Sequence, residues 1–113
     1  MSSKEDVGRA MRQFTAEIAR REGDRYAGAF LFGSRARNEA RADSDVDIAV
    51  ILRGKAGNFV QTKLALADVA YDVLLDTGVY IQPLPLWEEE WRAPERHRNP
   101  RLVENIRREG VPL

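Results

Sequence analysis

A chain of 113 residues is one domain's worth, expected to span 1–113, and too short for a large barrel or a multidomain enzyme. Apolar residues at 43% and charged residues at 32% fit a folded globular domain, and 18 basic against 18 acidic groups leave zero net charge and no bulk attraction for nucleic acid or an anionic membrane. The absence of cysteine and the single histidine, His97, exclude disulfides and thiolate or multi-histidine metal sites, while no apolar run is long enough to span a membrane.

The N-terminus is polar and of mixed charge, unlike a signal peptide, so a bacterial or archaeal cytoplasm is the expected location. Ser3 is placed to cap a first helix running to about Arg21. Val7, Met11, Phe14 and Ile18 give that helix one apolar stripe, and Gly23-Asp24 end it. Tyr26 to Phe32 predicts a short strand, broken by Gly33-Ser34, with Ser34 placed to cap a turn of helix. Asp45 to Leu52 is the clearest strand, with Val46, Ile48, Val50 and Leu52 on one face. After a glycine-rich loop, Asn58 caps a second helix from about Phe59 to Asp76, stopped by Gly78. Val79 to Leu84 predicts a third strand, and Pro83 and Pro85 place it at a sheet edge or near its end. Trp87 to Trp91 predicts a short helix, and Arg101 to Glu109 a last one. The fold class is therefore α/β (α+β): a small mixed sheet covered by helices.

Charge is unevenly spread. Residues 42–90 hold three basic groups against nine acidic ones, and residues 91–113 hold six arginines against three glutamates. Fifteen of the eighteen basic residues are arginine, which suits bidentate pairing with phosphate or carboxylate. Trp87 and Trp91, four apart, read as one helix face for core or partner packing. His97, among arginine and asparagine, reads as a surface residue.

The chemistry concentrates in Gly33-Ser34 followed, after ten residues, by Asp45-Val46-Asp47. Gly33 permits a sharp turn and close approach of backbone to a phosphate. Ser34 offers a hydroxyl and an N–H at a helical start, where anions are favoured. Asp45 and Asp47, two apart on a strand, point their carboxylates to one face. Their repulsion is relieved by a divalent cation, and Mg²⁺ takes one or two carboxylates plus substrate phosphates. Arg35, Arg37 and Arg41 lie between the two parts, and Arg35 and Arg37 are candidates for phosphate contact. The pattern suits a nucleoside triphosphate with Mg²⁺, and four fixed positions arise by chance in on the order of one such chain per thousand.

With these residues the chain resembles the MNT-type minimal nucleotidyltransferases of the DNA polymerase beta superfamily, whose signature is a GS pair, a spacer of about ten residues, then DxD. The likeness covers the motif and the order of elements from about Tyr26 to Leu84. It implies the nucleotidyltransferase fold, with Gly33 and Ser34 on the triphosphate of ATP and Asp45 and Asp47 as the catalytic, Mg²⁺-holding carboxylates. Many such proteins are antitoxins paired with a HEPN-domain toxin. The resemblance therefore implies AMP transfer from ATP onto a protein hydroxyl, typically a tyrosine of that toxin.

Two positions depart from the family pattern. Asn38 stands where glycine is frequent, and asparagine tolerates left-handed backbone. The third strand, where a third carboxylate is expected, offers Gln82 instead, with Asp43 and Asp76 as acidic substitutes elsewhere. An amide is a poor base, so the alternative is a weak or inactive antitoxin that neutralises its toxin by binding. Either way a hetero-oligomer is expected, with Trp87–Leu113 as its docking surface.

Overall fold

The computed structural model describes residues 3–40 and 45–113, so Arg41, Asp43 and Ser44 lie outside the described residues. The first helix, α1 (Lys4–Glu22), starts where local chemistry asks it to. Ser3 Oγ accepts the Asp6 N–H at 3.1 Å, and Asp6 accepts the Ser3 N–H in return. Val7, Ala10, Phe14 and Ile18 are its buried residues. Each large one contributes roughly 1.5–3 kcal/mol by leaving water. The first strand, β1, covers Tyr26–Phe32, the predicted residues. The second, β2, covers Val46–Leu52, leaving Asp45 just ahead of it.

The second helix, α2 (Phe59–Thr77), is capped by the Asn58 side chain on the Gln61 N–H at 2.9 Å. It ends at Gly78, whose φ of +77° is a left-handed stop that favours glycine. The third strand, β3, is Ile81–Trp87, starting two residues later than predicted and ending three later. A short helix α3 (Glu88–Arg92), a helix α4 (Pro100–Glu109) and a two-residue strand β4 (Val111–Pro112) complete the chain. The pattern of the sequence held no sign of β4.

The sheet order is β3-β2-β1-β4. β2 is antiparallel to β1 and parallel to β3, so the sheet is mixed. β3 lies at the edge, as its prolines require. Pro83 and Pro85 are two apart, so both missing N–H groups fall on one side of the strand, away from β2. Trp87, of the same parity, accordingly donates its N–H to Glu90 Oε1 at 3.1 Å rather than to the ladder.

Alternation sends Val46, Ile48, Val50 and Leu52 into the core under α1 and α2. Ala49 and Ile51 face the other way, into a second core with Leu86, Val103 and Ile106. The fold therefore has three layers, α1 and α2, the sheet, then α3 and α4. Two expectations fail here. Trp87 and Trp91 do not share a helix face: Trp87 ends a strand and packs in the α1–α2 core, whereas Trp91 stacks on Phe30 at 4.7 Å on the opposite side. His97 is buried, not on the surface, and its Nδ1 accepts the Asn99 N–H at 2.9 Å.

Candidate functional site

β1 runs out at Phe32, and the next residue makes a left-handed step. Gly33 has φ +75°, and a Cβ built there would lie 2.5 Å from Asp47 Oδ2. Only glycine fits between the turn and that carboxylate. Gly33–Arg35 then form a single 3₁₀ turn that begins after Phe32, so Ser34 lies within the turn rather than capping it. The Ser34 carbonyl accepts the Glu39 N–H at 2.9 Å, and the Gly33 carbonyl the Arg37 N–H at 3.3 Å. Asn38 closes the loop at φ +59°, the left-handed conformation that asparagine tolerates.

β1 and β2 pair in a register that sets Phe32 opposite Asp47, which brings the turn against the start of β2. Asp45 is exposed and Asp47 half-buried on the same sheet face. The parallel pairing of β2 with β3 then sets Gln82 opposite Asp47. Its Nε2 donates to Asp45 Oδ2 at 3.1 Å, across 37 residues of sequence. Gly33, Asp45, Asp47 and Gln82 thus meet at one end of the sheet. Asp76 does not join them; it accepts from Gln13 Nε2 at 2.8 Å and ties α2 to α1.

The two arginines of the turn part company. Arg37 pairs with Glu39 at 3.0 Å and with Glu109, at the end of α4, at 3.6 Å. Its charge draws the Asp47 pKa down in part. Arg35 turns toward α1, where it lines a groove of about 570 Å³ with Lys4, Val7 and Met11. Glu109 escaped the sequence reading, because nothing local marks a helix-terminal glutamate as a neighbour of a loop seventy residues earlier.

Burial, followed by the negative charge of Asp45, holds the Asp47 carboxyl above the usual carboxylate range. The metal-free fold binds that proton more tightly than the unfolded chain does. Stability therefore falls as pH rises from the ordinary carboxylate pKa, about 3.9, through the raised value, and the penalty is complete above it. Asp45→Asn removes the second cause and leaves the first. A carbon-detected NMR titration is expected to show Asp47 moving down yet staying above the usual range. An unmoved or rising titration would show that the two carboxylates do not interact.

The donor set suits a small hard cation. Two carboxylates stand side by side on one face, one open to solvent and the other partly desolvated, and their mutual repulsion is what a bound divalent ion relieves. Among the described residues no group of three or more acidic, histidine or cysteine side chains that could hold a metal forms, and Gln82 donates a hydrogen bond to Asp45 of the pair. Among the described residues no helix is long and apolar enough to cross a membrane.

The sequence matches the family described as Polymerase beta, Nucleotidyltransferase, over residues 15–82, a stretch that includes Gly33, Ser34, Asp45, Asp47 and Gln82. A solved structure assigned as a minimal nucleotidyltransferase is 30% identical, with 96% of this chain and 94% of that one covered and a TM-score of 0.57. A protein from Sulfolobus solfataricus assigned as a nucleotidyltransferase is 18% identical over 98% of this chain and 87% of its own, at TM-score 0.59. A toxin–antitoxin structure with AMP-PNP aligns at TM-score 0.59 and 17% identity, covering 88% of this chain and 68% of that one. Among curated proteins none matches.

Proposed function

The chain belongs to the polymerase beta nucleotidyltransferase family, and from that premise we propose that it transfers AMP from ATP to a hydroxyl of a partner protein: the hydroxyl oxygen bonds to the α-phosphorus, the bond to the β-phosphate breaks, pyrophosphate leaves and the hydroxyl proton passes to solvent. The observation that carries the proposal is the meeting of Gly33 and Asp47, where the turn and the carboxylate leave no room even for a methyl group between them. A backbone pressed this closely against a carboxylate sets phosphate-binding N–H groups and metal-binding oxygens within one small site.

In this reading the N–H groups of the Gly33–Arg35 turn take phosphate oxygens of ATP, with the Ser34 hydroxyl beside them. Arg37, anchored by Glu39 and Glu109, adds positive charge near the phosphates and Asp47. Asp45 and Asp47 hold Mg²⁺, which when bound neutralises phosphate charge and orients the α-phosphate for in-line attack. The aligned toxin–antitoxin structure holds AMP-PNP, an ATP analogue, which supports ATP as the nucleotide. The same likeness supports a toxin as the partner, and the resemblance on the GS and DxD residues supports a HEPN-domain toxin with a tyrosine acceptor in a hetero-oligomer.

A second reading is favoured by Gln82. The position where a third carboxylate is expected carries an amide that donates to Asp45. It cannot take a proton from an acceptor hydroxyl, which favours slow transfer, or neutralisation by binding alone.

The test is transfer of label from ATP labelled at the α-phosphate, onto the protein encoded beside this one, with and without Mg²⁺. Transfer of α-label but not γ-label, lost on chelation, is expected. Gln82→Asp is expected to raise the rate at least tenfold and to raise metal affinity, since it turns a donor to Asp45 into a third acidic ligand. A stable complex in which neither protein shows transfer would sink the enzymatic reading and leave the binding one. Transfer of γ-label would sink both.

A further inference from the structure

The docking surface expected on Trp87–Leu113 loses its aromatic half in the fold, because Trp87 and Trp91 both pack into the protein's own cores. Val111 and Leu113, at 43% and 44%, are the large apolar residues exposed in that segment, and the more exposed ones gather elsewhere. Val60, Leu64, Tyr71 and Leu75 are 59–66% exposed, and Tyr80 is 50% exposed. At 3.6 residues per turn the first four fall within an arc of about 60° along α2. The opposite arc buries Leu66, Val69, Ala70 and Val73. A helix apolar on two sides has a second face suited to cover by something other than its own core. Tyr80, just ahead of β3, extends this face across a groove of about 350 Å³ whose floor includes Ala67, Ala70, Leu74 and Pro83. The apolar patch is on the order of 500 Å², at the upper end of what monomers carry.

Charge says what the cover is. Along the edge of the stripe turned toward α1 stand Asp68 and Asp72, both exposed. Asp76 continues the row and holds Gln13 of α1. The ion pairs of the described residues engage neither Asp68 nor Asp72. A second copy is a poor occupant. A twofold axis packing α2 antiparallel on itself brings the same edge of both helices together. Asp68 lies at the middle of the stripe, so it would meet its own counterpart.

We infer that the outer face of α2, with Tyr80, docks a helix of another protein whose apolar stripe is flanked on one side by arginine or lysine. Leucine-sized side chains fill the groove beside Tyr71 and Tyr80, and the basic flank lies along Asp68 and Asp72. This surface is on the sheet face opposite Asp45 and Asp47, so its occupancy is separate from the proposed chemistry.

The test is a display library of helical peptides panned against the full chain, with affinities then measured by fluorescence anisotropy without ATP or Mg²⁺. Enriched peptides are expected to share apolar residues at helical spacing with arginine or lysine on one flank. Asp68→Lys/Asp72→Lys is expected to weaken them at least tenfold, as is Leu64→Ser, each with an unchanged circular dichroism spectrum. Asp45→Asn/Asp47→Asn is expected to bind them equally, so this result stands apart from any failure of the transferase reading. No enrichment, enrichment without a basic flank, or affinities indifferent to the charge reversal would overturn the inference. So would a dimer of the free chain in sedimentation that Leu64→Ser dissociates, which would make a second copy the occupant.

Discussion

Asp45→Asn/Asp47→Asn is expected to abolish Mg²⁺-dependent ATP binding and to lower transfer by about a thousandfold or more, the scale on which the electrostatic core of such sites acts. The same double change is expected to raise the thermal midpoint of the metal-free protein by a few degrees. The two effects have one origin. Both carboxylates project from the start of β2 to the same face, and burial together with the Asp45 charge disfavours ionised Asp47. Amides of the same shape remove that penalty, and with it the only pair of oxygens among the described site residues that a hard cation would prefer to water. The measurements are calorimetric titration of ATP with and without Mg²⁺, the α-label assay, and thermal denaturation in chelator. Metal-dependent binding that survives the double change would place the nucleotide elsewhere.

Gly33→Ala is the second large effect. Alanine at φ +75° costs about 1–2 kcal/mol from backbone sterics alone. Its Cβ would also sit 2.5 Å from Asp47 Oδ2, so the carboxylate must swing away or the turn must open. ATP binding in Mg²⁺ is expected to fall at least a hundredfold with the fold retained. The two contributions separate in a double-mutant cycle. In an Asp47→Ala background the collision is gone, so Gly33→Ala is expected to cost only the backbone part in denaturant titration. Equal cost in both backgrounds would show that the glycine serves the turn and not the carboxylate.

Local chemistry made the helices legible. Ser3 and Asn58 cap through atoms three residues away, and Gly78 stops α2 by its own backbone freedom, so α1 and α2 end within a residue or two of where the sequence puts them. β1 and β2 were legible because hydrophobic runs and alternation reflect burial directly. The motif was legible for a similar reason, since Gly33-Ser34 and Asp45-Val46-Asp47 are each short segments whose residue types announce their chemistry.

What failed depended on segments that meet only in the fold. The spacing of Trp87 and Trp91 implies a shared face only on a continuous helix, but the chain passes from strand to helix between them and the two rings go to opposite cores. His97 sits in polar sequence and is buried by elements that its neighbours do not encode. β4 is two residues long and takes strand geometry from pairing Val111 and Pro112 with β1.

The sequence by itself determined the order of the main elements, the caps of the long helices and the residues of the glycine turn and carboxylate pair, because these rest on contacts between near neighbours or on burial periodicity. Tertiary structure alone decided that Gly33 abuts Asp47, that Gln82 reaches Asp45, that Arg35 and Arg37 diverge, and that α2 keeps a second apolar face in solvent. Each of those is set by strand register and layer packing. Register and packing join residues tens of positions apart, and no local pattern records them.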